Sequence, residues 1–452
     1  MYVLLAGNDE VALTIAESLM ARHQVILIHP ADWSSPRLDT LDIQHIPGRA
    51  SAPNVLKSAA IDRCKVFVAC GTNDEVNIVS CLAARHLGAE RTICLLSRPG
   101  FFESDQNDDD LALYLGVDVV VRPWGQLATE IIQIITIPGA LDVARLTDQL
   151  AVLRFAVEEG APITRYPIKQ TPLPRDAILT LLRRGEQLTI PNGDTHVQAG
   201  DKVTVLGTPA GVRAMLSEQL RVPAHRKQRH AATIVGGGVV GFLIAQGLEA
   251  AGWSARVIDN NLARCEEIAP LLPRTLVLHG DGCDMDLLEE EQVGADPVLV
   301  AVTNNDEKNL LVSMMARSLG VNRIITRADR MSNEKLFERV GVDVVRSAHG
   351  AAIRTVVRDI IDPRREIRAE FEHGDVEVLE LTLPDSYIPI ALMDIRTDLF
   401  TLVAAIVRGR ETIIARGNTT LLPGDHLFVF CSPEDEEKSL ALYLNPPRPA
   451  AD

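Results

Sequence analysis

A run of glycines at the start of an apolar helical pattern is well suited to hold a phosphate. The pattern Gly-x-Gly-x-x-Gly is met by Gly236, Gly237, Gly238, Val239, Val240 and Gly241. Glycine at these positions allows a tight turn and lets a pyrophosphate approach the backbone. The following helix offers unpaired N–H groups and a positive dipole end to that phosphate. The motif alone is weak, but an apolar strand pattern precedes it and an apolar helix follows, which favours phosphate binding.

A carboxylate stands where a dinucleotide site needs one. Asp259, followed by Asn260, ends the second apolar strand pattern about 20 residues after the glycines. There it would accept hydrogen bonds from the hydroxyls of an adenosine ribose. No arginine immediately follows Asp259, which favours NAD over NADP. The alternative is a glycine-rich packing turn beside a solvated aspartate. Strand, turn, helix and acid together favour nucleotide binding.

Polar residues also follow the third, fourth and fifth strand patterns of this segment. The carboxyl ends of parallel strands open onto one crevice, where such residues would reach the adenine side or the second half of a dinucleotide. Helix capping is the alternative, because Asn, Asp and Thr are good caps, and the two roles are compatible. The candidates are Gly280, Asp281, Thr303, Asn304, Asn305, Asp306 and Arg327.

The chain repeats itself in order, at a spacing of about 230 residues. Gly7 and Gly236 open matching strand–turn–helix patterns, and the Asn-Asp-Glu segments at Asn73 and Asn305 match as well. Gly-Asp pairs recur late in each copy, at 200–201 and 424–425. The sequence therefore indicates a tandem duplication of roughly 225 residues per copy.

The pattern of strands and helices changes once within each copy. About 140 residues alternate short strands with helical periods, and about 80 residues of short strands split by turns follow. The predicted fold class is α/β, with two Rossmann-like doubly wound parallel-sheet domains, each followed by a small α+β module. A basic, proline-bearing linker joins the copies. The expected bounds are 1–140 and 141–220 for the first copy, 221–230 for the linker, and 231–368 and 369–445 for the second copy.

The first copy departs from the nucleotide-binding pattern. Only Gly7 remains of its glycines, and Asp9 and Glu10 would bring negative charge towards a phosphate. Its second strand pattern ends in His29 rather than in an acid, and Arg49 stands where the second copy has Asp281. We therefore expect the first copy to keep the fold and to have lost or greatly weakened dinucleotide binding, although Arg49 leaves room for a different anion.

The composition argues against several classes of function. The chain of 452 residues has a formal net charge of -16 and 4% aromatic residues, so no nucleic-acid partner is expected. Its seven cysteines lack a Cys-x-x-Cys pair, which indicates buried reduced thiols in a cytosolic protein and no metal site. The uncharged stretch 231–248 is borderline for a membrane span, but its clustered glycines favour a strand, a turn and a helix.

The whole chain resembles the TrkA-type potassium-uptake regulators, which are built from RCK/KTN domains. The residues that carry the resemblance are the glycine turn with Asp259, Gly280-Asp281, the Asn-Asp-Glu segments and the duplicated Gly-Asp turns. The resemblance implies a cytoplasmic subunit, peripheral to the inner face of the cell membrane. It would bind a Trk/Ktr-like potassium transporter and form a homo-oligomeric ring, expected to be a tetramer. It also implies gating by a nucleotide, with NAD(H) first and ATP or ADP as the alternative.

An NAD-dependent oxidoreductase is the competing function. A hydride-transfer enzyme needs an acid–base group facing the nicotinamide and usually a sizeable catalytic domain. Here only a small module follows each Rossmann-like pattern, and no convergent set of His, Lys, Tyr or acid is evident in it. The sequence thus favours a regulatory protein that is not an enzyme and has no catalytic residues.

Overall fold

The described part of the chain forms two compact units. The computed structural model describes residues 1–20, 23–96, 108–221, 230–329, 331–360, 366–371, 375–395 and 397–444. One unit joins Met1–Ile132 with Arg229–Ile360, and the other joins Gln133–Gln228 with Ile361–Asp452. The two Rossmann-like domains thus share one unit and the two small modules share the other. Most of the expected linker, 222–229, lies outside the described residues.

The first Rossmann-like domain is a parallel sheet covered by helices. Its strands are β1 (Tyr2–Ala6), β2 (Gln24–His29), β3 (Gln44–Pro47), β4 (Val66–Ala69), β5 (Arg91–Leu95) and β6 (Val119–Val121). Its helices are α1 (Glu10–Met20), α2 (Pro53–Ser58), α3 (Asp74–His86), α4 (Asp108–Leu115) and α5 (Pro123–Thr136). The strand order is β3-β2-β1-β4-β5-β6. The central strands are apolar and buried, as the interior strands of a covered parallel sheet must be.

The second Rossmann-like domain repeats this arrangement. The strands of the domain are β12 (Ala231–Val235), β13 (Ser254–Asp259), β14 (Leu276–His279), β15 (Val298–Ala301), β16 (Arg323–Arg327) and β17 (Val344–Arg346). The helices are α7 (Val239–Ala250), α8 (Leu262–Ile268), α9 (Met285–Glu290), α10 (Asp306–Ser318), α11 (Met331–Arg339) and α12 (Ala348–Ile360). The order β14-β13-β12-β15-β16-β17 matches that of the first domain.

Strand order fixes where a ligand would lie in each sheet. The order reverses between β1 and β4 in the first domain and between β12 and β15 in the second. The carboxyl ends of the strands on either side of such a reversal border a crevice that accepts a ligand. The predicted α/β class with two doubly wound parallel sheets is confirmed.

Within the first unit, each Rossmann-like domain packs its last helix against the first helix of the other. Helix α12 packs against α1. Helix α5 reaches α7 at Gly247, where a Cβ atom would lie 2.4 Å from the Cδ1 of Ile132. The absence of a side chain at Gly247 therefore lets the two copies approach closely.

The second unit consists of two antiparallel modules. The first contains β7 (Ala140–Arg145), β8 (Ala151–Ala156), β9 (Ala177–Arg184), β10 (Gln187–Thr189), β11 (Lys202–Gly207) and α6 (Pro209–Ala214). The second contains β18 (Glu366–Phe371), β19 (Val376–Thr382), β20 (Ile390–Ala391), β21 (Thr401–Arg408), β22 (Glu411–Ile414), β23 (Thr420–Leu421), β24 (His426–Cys431) and α13 (Glu436–Leu444). Residues from both modules, among them Leu181, Leu206, Phe428 and Phe430, form one shared hydrophobic core. Strand β18 begins at Glu366, before residue 369, where the sequence pattern placed the start of the second module. The sequence pattern missed this start because charged residues interrupt the apolar residues of the strand.

All the cysteines are free thiols, and each is buried except Cys283, which is half-buried. In the ranges that the structure describes, no helix has the length and apolar character needed to cross a membrane.

Candidate functional site

The key glycines of the turn from β12 to α7 differ in what a side chain at each position would contact. Gly236 has a φ of +109°, and a Cβ there would come within 3.0 Å of the backbone of Val302 and Thr303. A Cβ on Gly241 would lie 1.8 Å from the Gly236 carbonyl oxygen. A Cβ on Gly238 would meet no atom within 4 Å. The first two glycines are thus required by the fold, whereas Gly238 borders open space in which a ligand has room.

The N-terminus of α7 carries the donors that a phosphate needs. Gly238 is its N-cap residue, and no side chain caps the helix. The first N–H groups of a helix lack intrahelical partners, and its dipole makes this end positive. Val240 and Gly241 are buried, so they would contribute through backbone N–H groups alone. An uncapped helix end beside open space is the arrangement that binds phosphate in Rossmann domains.

The Asp259 carboxylate links the end of β13 to the glycine turn. One of its oxygens accepts a hydrogen bond from the Gly237 N–H at 2.6 Å, and the other accepts one from the Asn261 N–H at 2.8 Å. Asp259 is half-buried, and a carboxylate oxygen can accept more than one hydrogen bond. The side chain is therefore held in a fixed orientation at the crevice and keeps acceptor capacity for ribose hydroxyls.

A basic residue that the sequence pattern missed lies beside the same turn. Arg264, in the first turn of α8, donates from Nε to the Gly237 carbonyl at 2.8 Å and lies over the ring of Phe242. The sequence expectation considered only the position directly after Asp259. The reversal of the chain between β13 and α8 brings the arginine back, and it places a cation next to the proposed phosphate position.

The third strand end of the second domain also contributes a charged pair. Asp281 is exposed, and its carboxylate accepts the Cys283 N–H at 3.0 Å. Lys308 Nζ lies 3.8 Å from the other Asp281 oxygen. Lys308 was not among the residues expected from the sequence.

The Asn-Asp-Glu segments have a structural role in both copies. Asn305 caps α10 by accepting the Lys308 N–H at 2.7 Å. The buried Asn309 amide donates to the carbonyls of Thr303 and Arg327, which ties the ends of β15 and β16 together. In the first copy Asn73 caps α3, and the amide of Asn77 donates to Gly71 and Leu95. Capping, the alternative expected from the sequence, is present here, and it leaves Asn304 exposed at the crevice.

Arg327 ends β16 and is only 5% exposed at its side chain. Its guanidinium donates to Asp329 from Nε at 2.8 Å and to the Asn304 side-chain oxygen from Nη1 at 2.8 Å. Its Cζ lies 4.2 Å from the centre of the Trp124 ring, which the first domain supplies. The arginine therefore acts on the crevice through Asn304, whose oxygen it holds.

In the first copy an acidic side chain occupies the helix end that is open in the second. Asp9 accepts the Ala12 N–H at 3.0 Å, so its carboxylate caps α1. Burial raises the pKa of Asp9, while the Ala12 N–H and the charge of His349 act in the opposite direction. Asn8 accepts the Thr72 N–H at 3.2 Å across the crevice. A phosphate approaching α1 would meet a carboxylate and a helix end that is already capped.

In the first copy a histidine occupies the position of Asp259, the residue expected to bind the ribose. His29 ends β2 where Asp259 ends β13, and it is 5% exposed. Its Nδ1 lies 2.9 Å from the Pro30 carbonyl, and its Nε2 lies 3.1 Å from Nδ1 of His45. Both ring nitrogens are engaged, so this ring offers no pair of free acceptors for ribose hydroxyls. In the described part of the chain, no third His, Cys, Asp or Glu joins them as a metal site.

Two thiols adjoin the second crevice without the properties of nucleophiles. Burial, and then the charge of Asp259, raises the pKa of Cys265. Burial, and then the charge of Asp281, raises the pKa of Cys283. Both thiols therefore stay protonated at neutral pH, and a protonated thiol is a poor nucleophile.

The structure brings the expected residues of the second copy to one edge of its sheet. The glycine turn, Asp259 with Asn260, Gly280 with Asp281, and the segment 303–306 all lie at the carboxyl ends of β12 to β15. Arg327 ends the next strand. Sequence reasoning missed Arg264, Lys308 and Trp124 at this edge.

Two domain families match the chain, and each matches it twice. The TrkA-N domain family matches residues 3–123 and 232–348. The TrkA-C domain family matches residues 152–219 and 378–442. The matches alternate along the chain, so each TrkA-N match is followed by a TrkA-C match.

Several proteins are similar over nearly their whole length. A Trk system potassium uptake protein TrkA homolog of Archaeoglobus fulgidus is 32% identical, with 97% of this chain and 99% of that protein covered. The Trk system potassium uptake protein TrkA of Halomonas elongata is 29% identical, with 95% of each chain covered.

Solved structures share the fold. The GsuK RCK domain has a TM-score of 0.61 at 19% identity, covering 97% of this chain and 95% of that chain. The GsuK channel bound to NAD has a TM-score of 0.62 at 19% identity, covering 97% of this chain and 79% of that chain. This chain therefore has the fold of tandem RCK domains.

Proposed function

Because the chain belongs to the TrkA family of Trk-system potassium uptake proteins, we propose that it is a nucleotide-binding regulatory subunit of a potassium transporter. Relatives that match nearly the full length of this chain are named for potassium uptake. The nucleotide would gate the transporter by binding one conformation of the subunit more tightly than another, which shifts the population between them.

The difference between the two helix ends carries this proposal. Helix α7 begins at Gly238 without a side-chain cap and beside open space, with Asp259 fixed at the next strand end. Helix α1 begins at Asp9, whose carboxylate caps it. A phosphate is attracted to the first arrangement and repelled by the second. We therefore propose that the protein senses its nucleotide through the second copy.

The ligand that we propose first is NAD(H), with ATP or ADP as the alternative. The Asp259 carboxylate suits the hydroxyls of an adenosine ribose, and the helix end suits a pyrophosphate. The crevice continues past β15 to Asn304, which leaves polar contacts for the second half of a dinucleotide. The GsuK channel, which shares this fold, is described as bound to NAD.

A regulatory role fits the crevice better than oxidoreductase chemistry. Hydride transfer needs an acid–base group that is free to face the nicotinamide. Lys308 lies 3.8 Å from the Asp281 carboxylate, and His279 lies 3.3 Å from the Asn260 carbonyl. Both basic groups thus already have a partner. Turnover of NADH with a carbonyl substrate would favour the enzyme instead.

Exposed apolar residues at matching positions in the two copies support assembly with further copies of the chain. Val79 and Leu82 on α3 are 51% and 42% exposed, and Leu311 and Met314 on α10 are 48% and 55% exposed. Duplicated apolar faces of this kind suit repeated contacts between subunits. We propose a homo-oligomeric ring, a tetramer for a tandem chain.

The partner of that ring is proposed to be a Trk/Ktr-type membrane subunit at the inner face of the cell membrane. The net charge of -16 suits a partner with an electropositive face. The protein would thus be cytoplasmic and peripheral to the membrane.

Calorimetric titration of NAD⁺, NADH, ATP and ADP into the full-length protein tests the nucleotide site. We expect one of these ligands to bind and Asp259→Ala to weaken its binding roughly tenfold to hundredfold, as for loss of charged hydrogen bonds. His29→Ala is the matched control at the equivalent position of the first copy, and we expect it to leave the affinity unchanged. Absence of binding by all four ligands, or equal effects of the two variants, would contradict the proposal.

A further inference from the structure

The strand ends of the second crevice contact an aromatic side chain that comes from the first copy. Trp124 is the second residue of α5, and its ring lies 4.2 Å from the guanidinium carbon of Arg327. The same guanidinium holds the side-chain oxygen of Asn304, which is exposed at the crevice. A chain of direct contacts therefore leads from the rim of the nucleotide crevice into the other copy.

All of these contacts stabilise Arg327 in its buried position. A buried cation is costly unless it is paired and hydrogen-bonded. Asp329 supplies the opposite charge, Asn304 supplies a neutral acceptor, and the Trp124 ring covers the flat face of the guanidinium. A cation over an aromatic face is stabilised by the ring quadrupole, and more strongly when it is shielded from water. The tryptophan thereby restricts Arg327 to the geometry that orients Asn304.

A second contact joins the same helix to the neighbouring strand. Glu130 of α5 lies 3.8 Å from Nε of Arg346, the last residue of β17. Arg346 pairs with Arg327 in the parallel register of β16 and β17. One helix of the first copy thus contacts the ends of β16 and β17 of the second sheet.

The corresponding strand ends of the first copy carry no charged side chain. Leu95 pairs with Val121 in the first sheet as Arg327 pairs with Arg346 in the second, so the first copy has apolar residues at both strand ends. At the second position of α12, which corresponds to Trp124, the chain has His349. Neither Leu95 nor Val121 can form a cation–π contact or an ion pair with α12.

We propose that Trp124 is a positioning residue for the nucleotide site of the second copy, and that it reports occupancy of that site to α5 through Arg327. This inference rests on the proposed function, since it assumes that the second copy binds a nucleotide. The asymmetry of the contact matches the asymmetry of the two crevices: the copy with the capped helix end supplies a support to the copy with the open one. Helix α5 leads along the chain towards β7.

Binding measurements on full-length variants test the positioning role. We expect Trp124→Leu to weaken NAD⁺ or NADH binding roughly three- to thirtyfold, the range for loss of a shielded cation–π contact. Trp124→Phe, which keeps an aromatic face, should recover most of the affinity. His349→Leu is the matched control on α12 and should leave the affinity unchanged. If Trp124→Leu binds as tightly as the wild-type protein, the inference is wrong while the proposed function stands.

A double substitution tests whether Trp124 acts through Arg327. Two residues that act as one unit give non-additive losses. We therefore expect Trp124→Leu with Arg327→Met to bind no more weakly than Arg327→Met alone. Losses that add fully would show that Trp124 acts by another route and would overturn the inference.

Fluorescence tests the reporting step with Trp124 itself in place. The chain has three tryptophans, so Trp33→Phe with Trp253→Phe leaves Trp124 as the single source of tryptophan fluorescence. We expect saturating NAD⁺ to change its emission, and we expect no change when Asp259→Ala is added. Unchanged emission in a protein that calorimetry shows to bind NAD⁺ would overturn the reporting role. A wild-type protein that binds none of NAD⁺, NADH, ATP and ADP would overturn this inference together with the proposed function.

Discussion

Two glycines of the β12–α7 turn have opposite surroundings, which allows binding and folding to be separated. We expect Gly238→Ala to fold normally, because its φ of -59° suits alanine and a Cβ there meets no atom within 4 Å. The added methyl group would occupy the space that the phosphate needs, so nucleotide affinity should fall about tenfold or more. Calorimetry and a thermal unfolding curve measure the two effects.

Gly241→Ala is the companion variant, with the reverse pattern. Its Cβ would lie 1.8 Å from the Gly236 carbonyl oxygen, so the backbone must shift. We expect a loss of about 1–3 kcal/mol in the free energy of unfolding, as for other overpacked sites. A Gly238→Ala protein that binds nucleotide as well as the wild type would contradict the placement of the phosphate at this helix end.

The sequence predicted those site residues whose role depends only on their neighbours along the chain. The glycine turn and Asp259 follow from spacing along one strand–turn–helix unit, so their positions could be expected without a structure. Arg264 could not, because its contact with Gly237 depends on how the chain reverses after β13. Trp124 was also missed, since no local pattern indicates that a helix of one copy will reach a strand end of the other.

Among the elements, the duplicated Gly-Asp turns lock the small modules by a repeated ion pair. Arg184 donates to both oxygens of Asp201, each at 2.7 Å, and Arg408 donates to both oxygens of Asp425 at 2.7 and 2.8 Å. Each arginine also donates to a backbone carbonyl of the same module at 2.9 Å. The pairing joins the end of one strand to the turn before another, so both copies use the same bidentate contact to close the module.

These pairs predict a loss of stability in acid. Burial alone would raise the pKa of Asp201 and Asp425, but hydrogen bonds from Arg184, Arg408 and backbone N–H groups outweigh it and hold the pKa of both below its ordinary value. A carboxyl group with a lowered folded-state pKa stabilises the fold above its unfolded pKa, and this stabilisation is lost as the pH falls through the folded value. We expect the melting temperature of the full chain to fall below about pH 4.

The control for the acid effect is an exposed ion pair in the same module. Nζ of Lys169 lies 2.5 Å from Oδ1 of Asp194, whose side chain is 81% exposed. Exposed ion pairs of this kind contribute little to stability. Asp194→Asn should leave the melting curve between about pH 2 and 7 unchanged. Asp201→Asn combined with Asp425→Asn should lower the melting temperature at neutral pH and flatten its dependence on acid. An equal pH dependence in all three proteins would show that other carboxyl groups determine acid stability.

The elements themselves could be predicted to different degrees. Strands of the parallel sheets are apolar runs between turn residues, and the duplication let each copy confirm the pattern of the other. β18 was missed because charged residues break its apolar run. Its antiparallel pairing with β19 became evident only from the structure. The Gly-Asp repeats and the repeated arginines Arg184 and Arg408 were visible in the sequence, whereas the pairing between them became evident only from the fold.

In the whole molecule, duplication has produced two domains with one fold and different sites. Both sheets have the same strand order and the same asparagine tie between their strand ends. The differences are concentrated at the crevice, where Asp9 and His29 replace a glycine and an aspartate. If the first copy has lost ligand binding, as we propose, it can still pack against the second copy and support its site, which is the role that we infer for Trp124.

The chain should assemble into a ring. We expect light scattering to give the wild-type protein the molar mass of several subunits. Leu311→Lys with Met314→Lys should reduce its mass, because charges replace a half-exposed apolar face that would be buried between subunits. Leu271→Lys is the control, since Leu271 is 59% exposed outside these helices, and it should leave the mass unchanged.

Val79→Lys with Leu82→Lys tests the matching face of the first copy. If both double variants keep the wild-type mass, α3 and α10 do not form the assembly surface. If only one of them lowers the mass, the two copies have diverged in assembly as they have in their crevices.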